Sequence, residues 1–209
     1  MSKDARERSG LGLHCFSCQE EHDPSQLNNV CRLCGLPLEI SVPLPMSPLE
    51  EVIDRDLDSM WRYGAVLPVP ADQAVSLGEG WTPLHDIGQG VWVKDESVNP
   101  TASFKDRGMS MATSAARALG AEGFAAPSAG NAGVALAAYG SKAGLPVTVA
   151  MPEDTPKTII ERCREYGAHV ELVPGTIGDA GKWLAEHGNP QHFNVSTLKE
   201  PYRVEGKKT

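Results

Sequence analysis

From residue 104 to residue 197, segments with helical spacing of apolar residues alternate with short extended runs, and this alternation constrains the fold more than any other feature. A helix is expected over about 104–119, then a strand in "GFAAPS" (123–128) and a helix from Asn131 to Ala143. A strand in "PVTVAMP" (146–152), a helix over about 156–166, a strand in "HVELVPG" (169–175), a helix near 178–187 and a strand in "HFNVST" (192–197) follow. Strands that alternate with helices of roughly 10–15 residues make βαβ units, with parallel strands and right-handed crossovers. The expected class is α/β, with ligands gathering at the carboxyl ends of the strands.

A different material precedes this region. Cys15-x2-Cys18 and Cys31-x2-Cys34 are twelve residues apart, close to the pattern of a four-cysteine zinc site. Two disulfides, or reduced thiols without metal, are the alternatives; a reducing compartment disfavours the disulfides. Cys163 shares the apolar face of its helix with Ile159 and Ile160 and reads as a buried structural thiol. The chain thus divides into a zinc-ribbon-like leader (1–40), a proline-rich linker (41–48) and a third region (49–209) whose small parallel-sheet domain covers about 104–197. Apolar residues from Leu49 to Trp61 recur at helical spacing, and Gly64 should close that helix.

The formal charge of −8 argues against nucleic acid or an anionic membrane as partner. The polar N-terminus lacks an apolar signal region, and no window approaches a membrane-spanning run. A cytoplasmic protein is expected.

Three stretches carry possible chemistry. In "NPTASFKDRG" (99–108), Ser103 and Asp106 have the spacing of a capping box, which puts Lys105 in the first turn of a helix. Positive charge there disfavours an ammonium, and a neutral amine can attack an aldehyde to form an imine. In "SAGNAG" (128–133), Ser128, Ala129, Gly130 and Asn131 link a strand to a helix, where free amides attract anions. An ordinary strand-to-helix turn is the alternative. "EGKKT" (205–209) resembles the end of a phosphate loop, but Pro201 stands where that motif needs its first glycine, so the nucleotide reading is rejected. An imine-forming lysine beside a carboxylate cradle suggests pyridoxal phosphate chemistry, in which the cofactor ring takes up electrons.

At these residues the chain resembles the threonine synthase family, within the fold type II, tryptophan-synthase-β-like pyridoxal phosphate enzymes. The resemblance rests on "GEGWTPL" (78–84), "KDESVNPTASFKDRG" (94–108), "SAGNAG" (128–133) and "STLKEPYRVEGKKT" (196–209), in the family's order, with the cysteine pairs in front. It implies that Lys105 holds pyridoxal 5′-phosphate as an imine and that Asn131 bonds its ring hydroxyl. It also implies that the Ser128, Ala129 and Gly130 loop takes the substrate carboxylate. Thr101, Ser103, Asn194 and Arg203 fall where contacts to the substrate phosphate are expected, and Ala102 replaces a usual glycine. The implied reaction converts O-phospho-L-homoserine and water to L-threonine and phosphate, and the resemblance allows a homodimer for the full-length protein. A threonine or serine dehydratase and a non-catalytic zinc-binding relic are the rival readings. The family's chains run well past "EGKKT", so this one reads as an N-terminal piece, with the cofactor-phosphate loop in the remainder and little activity alone.

Overall fold

The computed structural model describes residues 10–209. The polar start of the chain, residues 1–9, lies outside the described residues. The leader is a three-stranded antiparallel sheet in which β1 (Gly12–Cys15) lies between β2 (Glu21–His22) and β3 (Leu38–Ser41). Strand alternation turns Leu13, Cys15, Leu38 and Ile40 inward. The last strand runs one residue past the expected boundary, to Ser41.

The helix expected from Leu49 to Gly64 does not form as one element. A single turn, α1 (Leu49–Val52), ends at an extended Ile53, and a 3-10 helix takes over at Met60–Val66. Side chains in the break compete for the backbone: Asp54 accepts the Asp56 amide at 3.0 Å, and Ser59 accepts the Trp61 amide at 3.2 Å. Met60 and Trp61 are still buried, as the apolar spacing required. Farther on, β4 (Leu84–Asp86) and β5 (Trp92–Lys94) form an antiparallel hairpin exposed along both strands.

The alternation beyond residue 104 folds as expected. α2 (Lys105–Ala118), β6 (Phe124–Pro127), α3 (Asn131–Ala143), β7 (Val147–Pro152), α4 (Lys157–Glu165), β8 (His169–Val173), α5 (Ile177–His187) and β9 (Phe193–Asn194) follow in turn, closed by α6 (Arg203–Lys207). The four strands make one parallel sheet in the order β8-β7-β6-β9. α2, α3 and α4 belong to the core on one face, while Ala180 and Leu184 of α5 cover Ala125, Ala150 and Val173 on the other. Burial on both faces explains why the inner strands β6 and β7 are almost continuously apolar, whereas the edge strand β8 alternates, with His169 exposed and Val170 buried. The main core is continuous from Leu13 and Cys31 through Met60 and Met109 to Phe193 and Tyr202, so the leader is packed on the sheet region despite the proline-rich connection. Cys163 is fully buried in it, and burial pushes its thiol up to about 11. Among the described residues no helix is long and apolar enough to cross a membrane.

Candidate active site

Because α2 leads into β6 and α3 leaves it, both helices begin at the carboxyl edge of the sheet, where β9 also ends. Lys105 is the first residue of α2, and the buried Ser103 hydroxyl accepts its amide at 3.2 Å. The expected capping box is not closed. Asp106 turns instead to the Thr101 amide, at 2.6 Å, and to the Thr101 hydroxyl. That geometry follows from Ala102, whose φ of 60° folds the 99–102 segment back over the helix start. The Lys105 amine lies 3.5 Å from the centre of the Phe104 ring, and no ion pair engages it among the described residues. Burial lowers its proton affinity, and the neighbouring cations Lys207 and Arg203 lower it further.

The two cations arrive through a close crossing of α6 over α2. A Cβ on Gly206 would sit 2.1 Å from the Arg107 carbonyl oxygen, and one on Gly108 would sit 3.1 Å from that of Arg203. Only glycine at 206 permits this approach. The Lys207 side chain lies across Gly108, one turn along from Lys105. "EGKKT" is therefore a helix-crossing motif. Arg203 is buried, with Nη1 donating to the Val195 carbonyl at 2.9 Å and to the Thr197 hydroxyl at 3.3 Å; its Nε has no partner among the described residues.

The second helix start is built differently. Gly130 stands at the N-cap of α3 and supplies no capping side chain. The Ser128 hydroxyl accepts the amides of Gly133, at 2.8 Å, and Gly130, at 3.4 Å, so it shapes the loop from within. The amides of Asn131 and Ala132 have no acceptor among the described residues, and the Asn131 side chain is exposed. A helix start with two free amides and no acidic residue in its first turn suits an anion.

Lys105, Arg203 and the Ser128, Ala129, Gly130 and Asn131 loop share the carboxyl edge. Ser103 reaches it as a cap. Thr101 and Asn194 are differently employed: Thr101 is tied to Asp106, and the Asn194 carboxamide oxygen accepts the Ser196 amide at 2.9 Å. Lys207 was missed; its four-residue spacing from Arg203 on one helix face was the available signal.

The motif carboxylates form the frame. Glu79 is fully buried and accepts from Trp61 Nε1 (2.8 Å), the Leu77 amide (2.9 Å), the Tyr139 hydroxyl (2.7 Å) and the Ser110 hydroxyl. Glu96 accepts Arg107 Nε and Nη2, both at 2.7 Å, and the Thr82 hydroxyl at 2.6 Å. The Arg107 guanidinium, with these hydrogen bonds, holds the Glu96 carboxyl down at about 2.

In the leader, the sulfurs of Cys15, Cys18, Cys31 and Cys34 lie within 4.8 Å of one another, with the nearer pairs at 3.5–3.6 Å. All four cysteines are free, and four sulfurs each ~2.3 Å from one zinc would lie about 3.8 Å apart, so the cluster fits a tetrahedral thiolate site. The amides of Ser17 and Leu33 each point at a sulfur of their knuckle, at 3.4 Å.

Known proteins resemble this chain along most of its length. The threonine synthase of Methanosarcina acetivorans is 32% identical over 209 residues, which cover 94% of this chain and 51% of that protein. The threonine synthase of Methanocaldococcus jannaschii is 33% identical, covering 93% and 51%. A mouse L-serine dehydratase/L-threonine deaminase is 36% identical over 135 residues, covering 60% and 41%. Among solved structures, a hydrogen sulfide-producing enzyme from Fusobacterium nucleatum superposes with a TM-score of 0.50 at 26% identity, over 55% of this chain and 42% of that one. Maize serine racemase gives 0.52 at 22% identity, over 60% and 41%, a likeness of fold. The chain spans about half the length of the curated threonine synthases it matches. A model of the pyridoxal-phosphate dependent enzyme family matches residues 75–209, which include both helix starts and the α6 crossing: the chain belongs to that family.

Proposed function

We propose that this chain is the lysine-bearing part of a threonine synthase, which converts O-phospho-L-homoserine and water to L-threonine and phosphate. The observation that carries the reading is the amine of Lys105, free of acidic partners among the described residues and set beside Arg203 and Lys207 at the edge that also holds the Ser128–Asn131 loop. The residues fit pyridoxal phosphate: a lysine poised to lose its proton, an exposed asparagine and two unsatisfied amides. When bound, the cofactor takes up the electron pair released at the substrate's Cα.

Lys105 would hold the cofactor through its aldehyde carbon and would move protons at Cα and Cβ of the substrate. Asn131, whose side chain is exposed at this edge, would bond the cofactor's ring hydroxyl. The Ser128, Ala129 and Gly130 loop orients the substrate carboxylate on the free amides of α3. Arg203 faces the phosphate that leaves from Cγ, and water adds at Cβ. Thr101 and Ser103 support this pocket through the α2 start, and Asn194 through the loop after β9. Cys15, Cys18, Cys31 and Cys34 would hold a structural zinc ion, and four thiolates would leave no position for a reacting water.

The synthase is favoured over a dehydratase because its relatives match 94% and 93% of the chain, a share too large to leave out the cysteine leader. The dehydratase match covers 60%. The test is product analysis with a protein of full family length: threonine and phosphate from O-phospho-L-homoserine, lost in Lys105→Ala. Keto acid and ammonia as the products, with no threonine, would exchange the reading for a dehydratase. Residues 1–209 alone should bind the cofactor weakly and release no phosphate. Chelation should remove about one zinc per chain and unfold the leader locally.

A further inference from the structure

Asn29, in the turn between the two cysteine pairs, reaches out of the leader. Its side-chain nitrogen donates to the carbonyl oxygen of Asn194 at 2.7 Å and to that of Lys199 at 2.5 Å. Two carbonyls converging on one atom require the NH2 end of the amide. These acceptors are the two ends of the loop that follows β9. The same loop supplies Val195 O and Thr197 Oγ1, the two groups that hold the Arg203 guanidinium. It also contains Leu198 with a φ of 64°, left-handed backbone that a leucine adopts at a cost and that needs support from its surroundings.

The other end of this link is fixed by the cysteine cluster. Val30 bridges Pro37, the Cys31 amide donates to Leu36 O at 2.9 Å, and Cys31 itself is buried. Asn29 is thus two residues from a sulfur that can be locked by a metal, and one hydrogen bond from the loop that presents Arg203.

We propose that Asn29 is a positioning residue that couples the metal-held cysteine knuckle to the Arg203 side of the candidate site by stapling the 194–199 loop shut. The leader then has a task at the site without touching substrate or cofactor. The kinetic part of this inference rests on the proposed function; the structural part does not.

The experiment measures amide hydrogen exchange on the 209-residue chain as wild type, Asn29→Ala and Asn29→Asp, each with zinc and after chelation. Asn29→Asp keeps the shape but sets carboxylate oxygens against the two carbonyls. With zinc present, both variants should exchange about tenfold faster at Val195, Lys199 and Arg203, as for a lost hydrogen bond. Zinc content and exchange in Val147–Pro152 should stay as in wild type, which shows that the variants fold. Chelation should produce the same loosening in wild type and add little in the variants. No change in the variants, or an equal further change on chelation, overturns the coupling. In a protein of full family length, Asn29→Asp should raise KM for O-phospho-L-homoserine several-fold and leave kcat within about twofold, the pattern of lost binding without lost chemistry. Faster exchange with unchanged KM overturns the link to the site. A wild-type enzyme that makes no threonine overturns the proposed function instead, and the exchange result stands apart from it.

Discussion

At the start of α2, Ser103 caps the Lys105 amide and Asp106 is tied back to Thr101; at the start of α3, Gly130 offers no side chain and two amides have no acceptor among the described residues. Both starts lie on the same edge of the same sheet. The first is closed by its own side chains and carries a cation where the helix dipole disfavours one. The second is left open where the dipole favours an anion. What the difference teaches is that the two helix ends are built for opposite charges: under the proposed function, one would serve an amine that gives up its proton and the other a carboxylate that keeps its charge.

The strongest way to break this comparison is at the amine. With pyridoxal phosphate bound to a protein of full family length, Lys105→Ala should abolish the imine absorbance band and lower turnover by about a thousandfold or more. Borohydride labelling of Lys94 or Lys142 would show that the wrong lysine has been assigned. Lys94 is an unfavourable candidate: its amine donates to the Thr82 carbonyl at 2.5 Å.

Next in size is the support behind α2. Arg107 is 6% exposed, so Glu96→Gln leaves a buried guanidinium without its charge partner and should cost about 1–3 kcal/mol in urea unfolding. The pH dependence has a definite sign. Arg107 holds the Glu96 carboxyl at about 2 in the folded chain, below its ordinary value of 4.5. The stabilisation is therefore present above that ordinary value and is lost as pH falls through about 2. Glu96→Gln should flatten the acid side of the stability curve; an unchanged acid limb would remove Glu96 from the account.

Smaller in energy, but sharper as a test of the open end, is Gly130→Asp. A Cβ there meets nothing within 4 Å, and the backbone is extended. The new carboxylate should cap α3 and stabilise the chain by about 1 kcal/mol while competing with the substrate's own carboxylate. A more stable protein with a raised KM is the expected result. Unchanged KM would mean that the amides serve no ligand.

The smallest effect belongs to Ala102. With φ at 60°, Ala102→Gly should relieve left-handed strain, offset in part by the freer unfolded chain, for a net gain below about 1 kcal/mol. A loss of stability would show that the turn depends on the methyl group.

Much of this was legible in the sequence because it is local. Helical and extended periodicity gave the four βαβ-linked strands, and paired cysteines gave the cluster whose sulfurs meet. The start of α2 was placed within a residue, but its cap was misassigned: Ser103 and Asp106 have the spacing of a reciprocal pair, and a left-handed Ala102 brings Thr101 nearer. The helix predicted across 53–59 failed where Asp54 and Ser59 take backbone amides for themselves. Least legible were contacts between distant motifs. Nothing in "GEGWTPL" announces that Glu79 meets Tyr139, or in "EGKKT" that Gly206 lets Lys207 reach the face of α2 that bears Lys105.

Glu79 also bears on the order of events in folding. Its carboxylate is enclosed only after residues 61, 77, 110 and 139 have come together, and the farthest of these lies 60 residues along the chain. A charge is costly to strip of water before its partners arrive, so this junction should close late, after the helices have formed. Contacts made late govern escape from the native state more than entry to it. In stopped-flow measurements Glu79→Gln should then hasten unfolding and leave the refolding arm nearly unchanged; a slowed refolding arm would mean that the junction forms early. On this reading one buried carboxylate acts as the latch that sets how long the assembled fold persists.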